Sequence, residues 1–425
     1  MLCRWFILML TIGALILCAA DGALADKLLI PMDQDQTDHL KAYGIAFLAL
    51  TKGVTVDWLL NYRGGSFMMD YAEFLAQQAQ LRGVTGVRIR ESEGAQIVAD
   101  MADKNMDAVR LEKAPKIAVY TPPDKRPWDD AVTLAMAYAE IPYDTIWDED
   151  VLSGKLAQYD WIHLHHEDFS GQYGKFYASY GQQLWYRQQQ AEYEALARKL
   201  GFRKVSEEKR TVAQAIKDYM VNGGFMFAMC SATDTFDIAL ASAGTDIVDT
   251  VYDGDPPAPG CQERLDFSKC LAFENFKLVM DPMEYEYSDI DVSPKSAAQV
   301  RSPEADFFSL FEFSAKYDPV PTMLTQDHTA IVKGFLGQTT GFNRRLIKPS
   351  VTIMGEVEGT DEVKYIHGDV GKGTFTFYGG HDPEDYQHLV GDPPTDLALH
   401  KNSPGYRLIL NNVLFPAAKK QKRKT

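Results

Sequence analysis

Gly223-Gly224-Phe225-Met226-Phe227-Ala228-Met229-Cys230-Ser231-Ala232-Thr233-Asp234 reads as a strand, a sharp turn and a helix start, with a cysteine at the corner. The apolar run from Phe225, opened by a glycine pair, has the character of a buried strand. From Thr233 the spacing turns helical, with polar side chains available to cap the first turn. A nucleophile on such a turn needs small neighbours, because the strand and helix backbones nearly touch there. Ala228 and Ala232 meet that need as the glycines of a G-x-S-x-G elbow do. The helix start would bring N–H groups and a positive dipole end to the sulfur, favouring thiolate and holding an oxyanion near Ser231.

Strands and helices alternate on the way to this elbow. Residues 27–31 predict a strand, 36–50 a helix with Leu40, Tyr43, Ala46, Phe47 and Leu50 on one face, and 54–62 a second strand ending in a glycine turn. Helices over 71–81 and 93–104 flank a short strand at 87–89, so 26–114 reads as a βαβ region with a parallel sheet, packed on the main domain. Strands at 116–121, 143–147 and 159–165, with a helix over 129–139, begin a second series within a main domain of 115–415. Residues 170–222 read as a helical insertion rich in Gln and Tyr, and 253–325 as irregular. Antiparallel strands are expected at 351–357, 363–368 and 374–379, then a helix over 406–414 and a basic tail over 416–425. The fold class is α/β, built on a parallel sheet.

The 425 residues include 43 basic and 59 acidic side chains, a net charge of −16, which argues against nucleic acid as a partner. A basic start at Arg4, an apolar stretch from Trp5 to Ala20 and the small residues Ala23 and Ala25 predict a signal peptide over 1–25, hence export to the periplasm or beyond. No later run is long and apolar enough to span a membrane. In an oxidising compartment Cys261 and Cys270 are expected to pair across a Pro/Gly-rich loop, leaving Cys230 as the odd cysteine.

A second segment carries chemistry: Gly373-Thr374-Phe375-Thr376-Phe377-Tyr378-Gly379-Gly380-His381-Asp382-Pro383-Glu384-Asp385. A strand runs into two glycines, then a histidine and a set of carboxylates. A cysteine nucleophile needs a neutral imidazole to take its proton, and that imidazole needs a third group to orient it. Parallel strands would bring Cys230 and His381 to one sheet edge.

The order of these elements resembles the class I glutamine amidotransferase-like superfamily, which carries a Cys-His-Glu triad on a flavodoxin-like sheet. The resemblance implies Cys230 as nucleophile, His381 as base and Glu384 as orienter, with Asp382 or Asp385 as substitutes, and an amide substrate, small or peptide-like. Two motifs depart from the family: G-x-C-x-G is Ala228-Met229-Cys230-Ser231-Ala232 here, and His-Pro-Glu gains Asp382. The stretches His39-Leu40-Lys41-Ala42-Tyr43-Gly44 and Val56-Asp57-Trp58-Leu59-Leu60-Asn61-Tyr62-Arg63-Gly64-Gly65 are similar to an exported bacterial family often labelled asparagine synthetase B. Asparagine synthetases expose an N-terminal cysteine immediately after the initiating methionine, whereas Cys3 here lies inside the predicted signal peptide, and the chain shows no phosphate-cradling glycine loop of their type.

Trp161-Ile162-His163-Leu164-His165-His166-Glu167-Asp168 is the third constellation. His165, His166 and Glu167 at a strand end are candidate zinc ligands, with His381 as a further donor. Asp281, Glu284, Glu286, Asp289 and Asp291 match no EF-hand spacing and read as a solvated acidic loop. The leading expectation is an exported cysteine amidase without a cofactor. The alternatives are a non-catalytic binding protein of the cell envelope and a metal-dependent hydrolase using the histidine cluster.

Overall fold

The computed structural model describes residues 26–123, 129–292 and 302–418. The predicted signal peptide and the residues of the basic tail from 419 onward lie outside them. Within them, Phe415–Ala417 forms a 3-10 turn and Ala418 bridges Leu111, so the tail begins later than the sequence suggests.

The N-terminal region forms a five-stranded sheet from β1 (Lys27–Ile30), β2 (Val56–Leu60), β3 (Ser66–Asp70), β4 (Val87–Ile89) and β5 (Asp107–Leu111), in the order β4-β1-β3-β2-β5. Every pairing is antiparallel, against the expectation of a parallel sheet. β1 and β2 do run in the same direction, joined by the helix His39–Thr51. The turn at Tyr62–Gly65 then folds β3 back between them, its tightness supplied by left-handed Arg63, Gly64 and Gly65. β3 escapes pattern reading because Ser66, Phe67, Met68 and Met69 are all buried and show no alternation.

The second sheet has ten strands. β6 (Ile117–Tyr120), β7 (Asp144–Ile146), β8 (Trp161–Leu164) and β9 (Phe225–Met229) are followed by β10 (Phe307–Leu310), β11 (Ile331–Lys333), β12 (Phe342–Asn343), β13 (Thr352–Glu356), β14 (Glu362–Val370) and β15 (Gly373–Tyr378). The order is β11-β10-β13-β14-β15-β9-β8-β6-β7, with β12 on the end of β14. β7, β6, β8, β9 and β15 are mutually parallel, and the pairings from β15 through β14, β13 and β10 to β11 are antiparallel. The protein is therefore a mixed α/β structure.

Apolar layers cover both faces of this sheet. On one face the helices Ala131–Ala139 and Pro404–Leu414 pack with His39–Thr51, and their core is continuous with that of the N-terminal sheet. Gly44 permits the close approach, since a Cβ there would collide with the Ala139 carbonyl. On the other face lie the helices Val205–Val221 and Ser231–Ala241. Val205–Val221 is the crossover from β8 to β9, burying Val212, Ala213, Ile216 and Met220, so it belongs to the sheet's own architecture and not to an insertion. The added helical material is the shorter stretch before it, including Leu184–Lys199.

The expected disulfide is absent. Cys261 and Cys270 are buried free thiols, separated by two 3-10 turns, and the Cys270 thiol donates to the Asp237 carbonyl at 3.4 Å. Asp281 accepts from the Met283 amide in a local turn, and Asp289 accepts from the Lys277 amide twelve residues before it.

Candidate functional site

Cys230 sits between the fully buried strand β9 and the helix Ser231–Ala241, with φ 49° and ψ −140°. That is left-handed backbone, costly for a residue with a Cβ, and it turns the side chain out of the strand's direction. Backbone bonds hold the turn on both sides. The Cys230 amide donates to the Gly380 carbonyl at 3.2 Å and the Ala232 amide to the His165 carbonyl at 2.9 Å. Ala228 and Ala232 are fully buried, as small residues at such a junction must be. The Gln338 amide donates to the Cys230 sulfur at 3.3 Å. Burial pushes the thiol up to about 11, although the Gln338, Ser231 and Thr339 amides oppose it. Burial thus outweighs the helix-start amide of Ser231, which does pull toward thiolate as the sequence predicts, and the net shift favours the thiol.

His381 follows β15 through Gly379 and Gly380. Gly380 has φ +106°, and a Cβ on it would strike the Phe335 ring. His381 stacks on His388 with ring centroids 4.6 Å apart and 3° between planes, and lies 4.6 Å from His165 and 5.7 Å from His166. Burial, then the neighbouring His165, His166 and His388, holds the imidazole well below its ordinary range, which favours its neutral form. His388 is the charged partner: its hydrogen bond to Asp129 at 2.8 Å, with Asp385 at 2.8 Å on the other nitrogen, raises it to about 9.

None of the acids expected to orient His381 does so. Glu384 pairs with His400 Nδ1 at 3.0 Å. Asp382 accepts from the Glu384 and Asp385 amides and from the hydroxyls of Thr395 and Tyr406, which makes it a turn and packing residue. Asp385 holds His388, and so acts on His381 only through that ring.

β8 delivers the third group. His163 is fixed by Asp130 Oδ2 at 3.1 Å and the Phe227 carbonyl at 3.1 Å. His165 Nδ1 lies 3.3 Å from Asp130 Oδ1. Burial lowers His166 to about 3. Ring nitrogens of His165, His166 and His381 lie within 4.8 Å of one another. Glu167 is not in this group: its Oε2 accepts from the His165 amide at 3.0 Å, and burial raises it to about 7.

Because β8, β9 and β15 are parallel, their carboxyl ends bring Cys230, His166 and His381 into one pocket of about 300 Å³, also lined by Gln338, Tyr285 and His388. His166 is shared with a second pocket of about 260 Å³ at the ends of β6 and β8, lined by Asp129, Asp130, Glu167, Asp168 and Lys209. Gln338, Asp129, Asp130 and His388 escape sequence reading. The signals available are the Gly337-to-Gly341 turn and the three-residue step from Asp385 to His388.

No protein-family model matches the chain, and no curated protein matches it. Among solved structures it is similar to two cytoplasmic proteins of Salmonella typhimurium, at 10% and 11% identity, with TM-scores of 0.34 and 0.36. Each alignment covers 72% of this chain and 100% of the other. A β-galactosidase from Bacillus circulans sp. alkalophilus aligns at 10% identity over 69% of this chain and 31% of its own, with a TM-score of 0.26. No helix among the described residues is long and apolar enough to cross a membrane.

Proposed function

We propose that this chain is a cysteine-dependent hydrolase of C–N bonds, on a scaffold like that of the class I glutamine amidotransferases, with Cys230 as nucleophile and His381 as base. The observation that carries the reading is the left-handed backbone of Cys230 at the strand–helix corner, in a pocket shared with His381. Strained backbone at a buried cysteine is the arrangement of a nucleophile elbow. The parallel strands supply further support: counted from β6, the first lies between the second and third, the order of flavodoxin-like sheets.

In this mechanism neutral His381 takes the thiol proton as sulfur attacks the acyl carbon. The resulting oxyanion is met by backbone N–H groups, with those of Gln338, Ser231 and Thr339 nearest the sulfur. The C–N bond breaks, the amine leaves with the proton from His381, and a thioester remains on Cys230. Water then attacks the thioester, giving its proton to His381, and the acid and the free thiol are released. A thiol that rests protonated in a buried pocket needs this concerted proton transfer, which is why a neutral base matters here.

The test is a screen of small and peptide-like amides, with intact-mass detection of an acyl adduct that maps to Cys230 and vanishes in Cys230→Ala. Turnover that persists in Cys230→Ala removes the proposal. Ligand binding without any adduct or turnover would favour a binding protein on the same scaffold.

A further inference from the structure

Three imidazoles meet at the carboxyl edge of the parallel strands. His165 and His166 follow β8, His381 follows β15, and one ring nitrogen of each lies within 4.8 Å of the others. Three imidazole donors with a fourth position open are a ligand set of zinc-type sites. Tetrahedral zinc, with Zn–N bonds of about 2.0–2.1 Å, places such nitrogens roughly 3.4 Å apart, so modest ring rotations complete the set.

One of the three rings has a carboxylate behind it. Asp130 Oδ1 stands 3.3 Å from His165 Nδ1, leaving Nε2 for ligation, as carboxylates do behind metal-bound histidines. Asp130 is itself held by His163, whose two nitrogens are taken by Asp130 and the Phe227 carbonyl, so His163 supports the cluster and does not join it. His166 and His381 both line the pocket that contains Cys230. The contrast with another acidic cluster is sharp: Asp246, Asp253 and Asp255 also converge, but the Lys204 ammonium already occupies their centre.

We propose that His165, His166 and His381 form a site for a divalent transition metal of the zinc class, and that its occupancy withdraws His381 from Cys230. The metal site stands on its own geometry, whereas the silencing of the thiol rests on the cysteine-hydrolase reading. A bound metal takes the imidazole lone pair that would otherwise accept the thiol proton, so the occupied and the active states exclude each other.

The experiment uses the untagged full chain, stripped with a chelator and titrated with zinc and with cobalt(II). One equivalent should remain through gel filtration, and cobalt(II) should show the visible absorption of a tetrahedral site. His166→Ala, at the least buried of the three ligands, should lose retention. Asp130→Asn should weaken affinity by about 10- to 100-fold, and Glu167→Gln should leave it unchanged. Melting of each metal-free variant reports its folding. If His166→Ala does not fold, the contrast between Asp130→Asn and Glu167→Gln decides. No retained metal in the wild-type chain, or affinity undiminished in Asp130→Asn and His166→Ala alike, overturns the site. Zinc should also suppress alkylation of Cys230, and His166→Ala should restore it. Zinc bound with unchanged labelling overturns the silencing. A Cys230 that never labels, in a chain that still binds zinc, removes the hydrolase reading and leaves the metal site in place.

Discussion

The amide of Cys230 donates to the carbonyl of Gly380 at 3.2 Å, so the thiol-bearing turn and the residue before His381 are fixed to each other through backbone alone. The relative placement of Cys230 and His381 therefore depends on the conformation of Gly380. At φ +106° and with the Phe335 ring against its α-carbon, this position has no room for a side chain. Gly380→Ala should lower stability by about 1–3 kcal/mol in denaturant unfolding, and should slow Cys230 chemistry further than the stability loss explains. Unchanged stability and reactivity would show that the link is not needed.

Strain stored at Cys230 has its own signature. At an ordinary buried position glycine is less stable than alanine by roughly 0.5–1 kcal/mol. With φ 49° and ψ −140° the order should invert, so Cys230→Gly should match or exceed Cys230→Ala in melting temperature. Both variants lack the thiol, which confines the comparison to the backbone. The ordinary order would mean that the elbow stores no strain.

Much of this site is legible in the sequence, and the failures have physical reasons. The elbow is readable because a glycine pair, an apolar run and flanking alanines are local constraints on Cys230. His381 is readable because a strand that ends in two glycines releases its next side chain from the sheet. The partner of Glu384 is not, because it lies close to His381 in sequence while its carboxylate faces His400. Asp129 and Asp130 reach the histidines from a different strand's loop, a contact that only the sheet order creates. The same holds for the fold: β1 and β2 carry clear patterns, whereas the insertion of β3 between them is a long-range event with no periodic signal.

Glu384 gives a direct contrast with the amidotransferase-like triad. Because it pairs with His400, Glu384→Gln should leave amide turnover and Cys230 labelling at wild-type rates, measured side by side with His381→Ala, which should lose both. A large loss in Glu384→Gln would restore it as the orienting acid.

Glu208 sets a pH dependence away from the site. Burial, then the carboxylate of Asp148, raises it from an ordinary 4.5 to about 8. Between these values the folded chain keeps a proton that the unfolded chain has lost, so the unfolded state binds fewer protons and stability falls as pH rises through the window. Glu208→Gln should flatten that fall and raise the melting temperature at the alkaline end, as read from melting curves across the range. A variant with the same slope as the wild-type chain would exclude Glu208 as its source.

The central claim is that His381 activates a thiol that is otherwise held protonated. The most direct measurement is the rate of iodoacetamide labelling at each cysteine of the native, metal-free chain, resolved by peptide mapping, in the wild type and in His381→Ala. Cys230, though as buried as Cys261 and Cys270, should label well before them because His381 shares its pocket, and His381→Ala should slow Cys230 alone while the melting temperature holds. Labelling of Cys230 only on unfolding, together with the other two and unaffected by His381→Ala, would contradict the account.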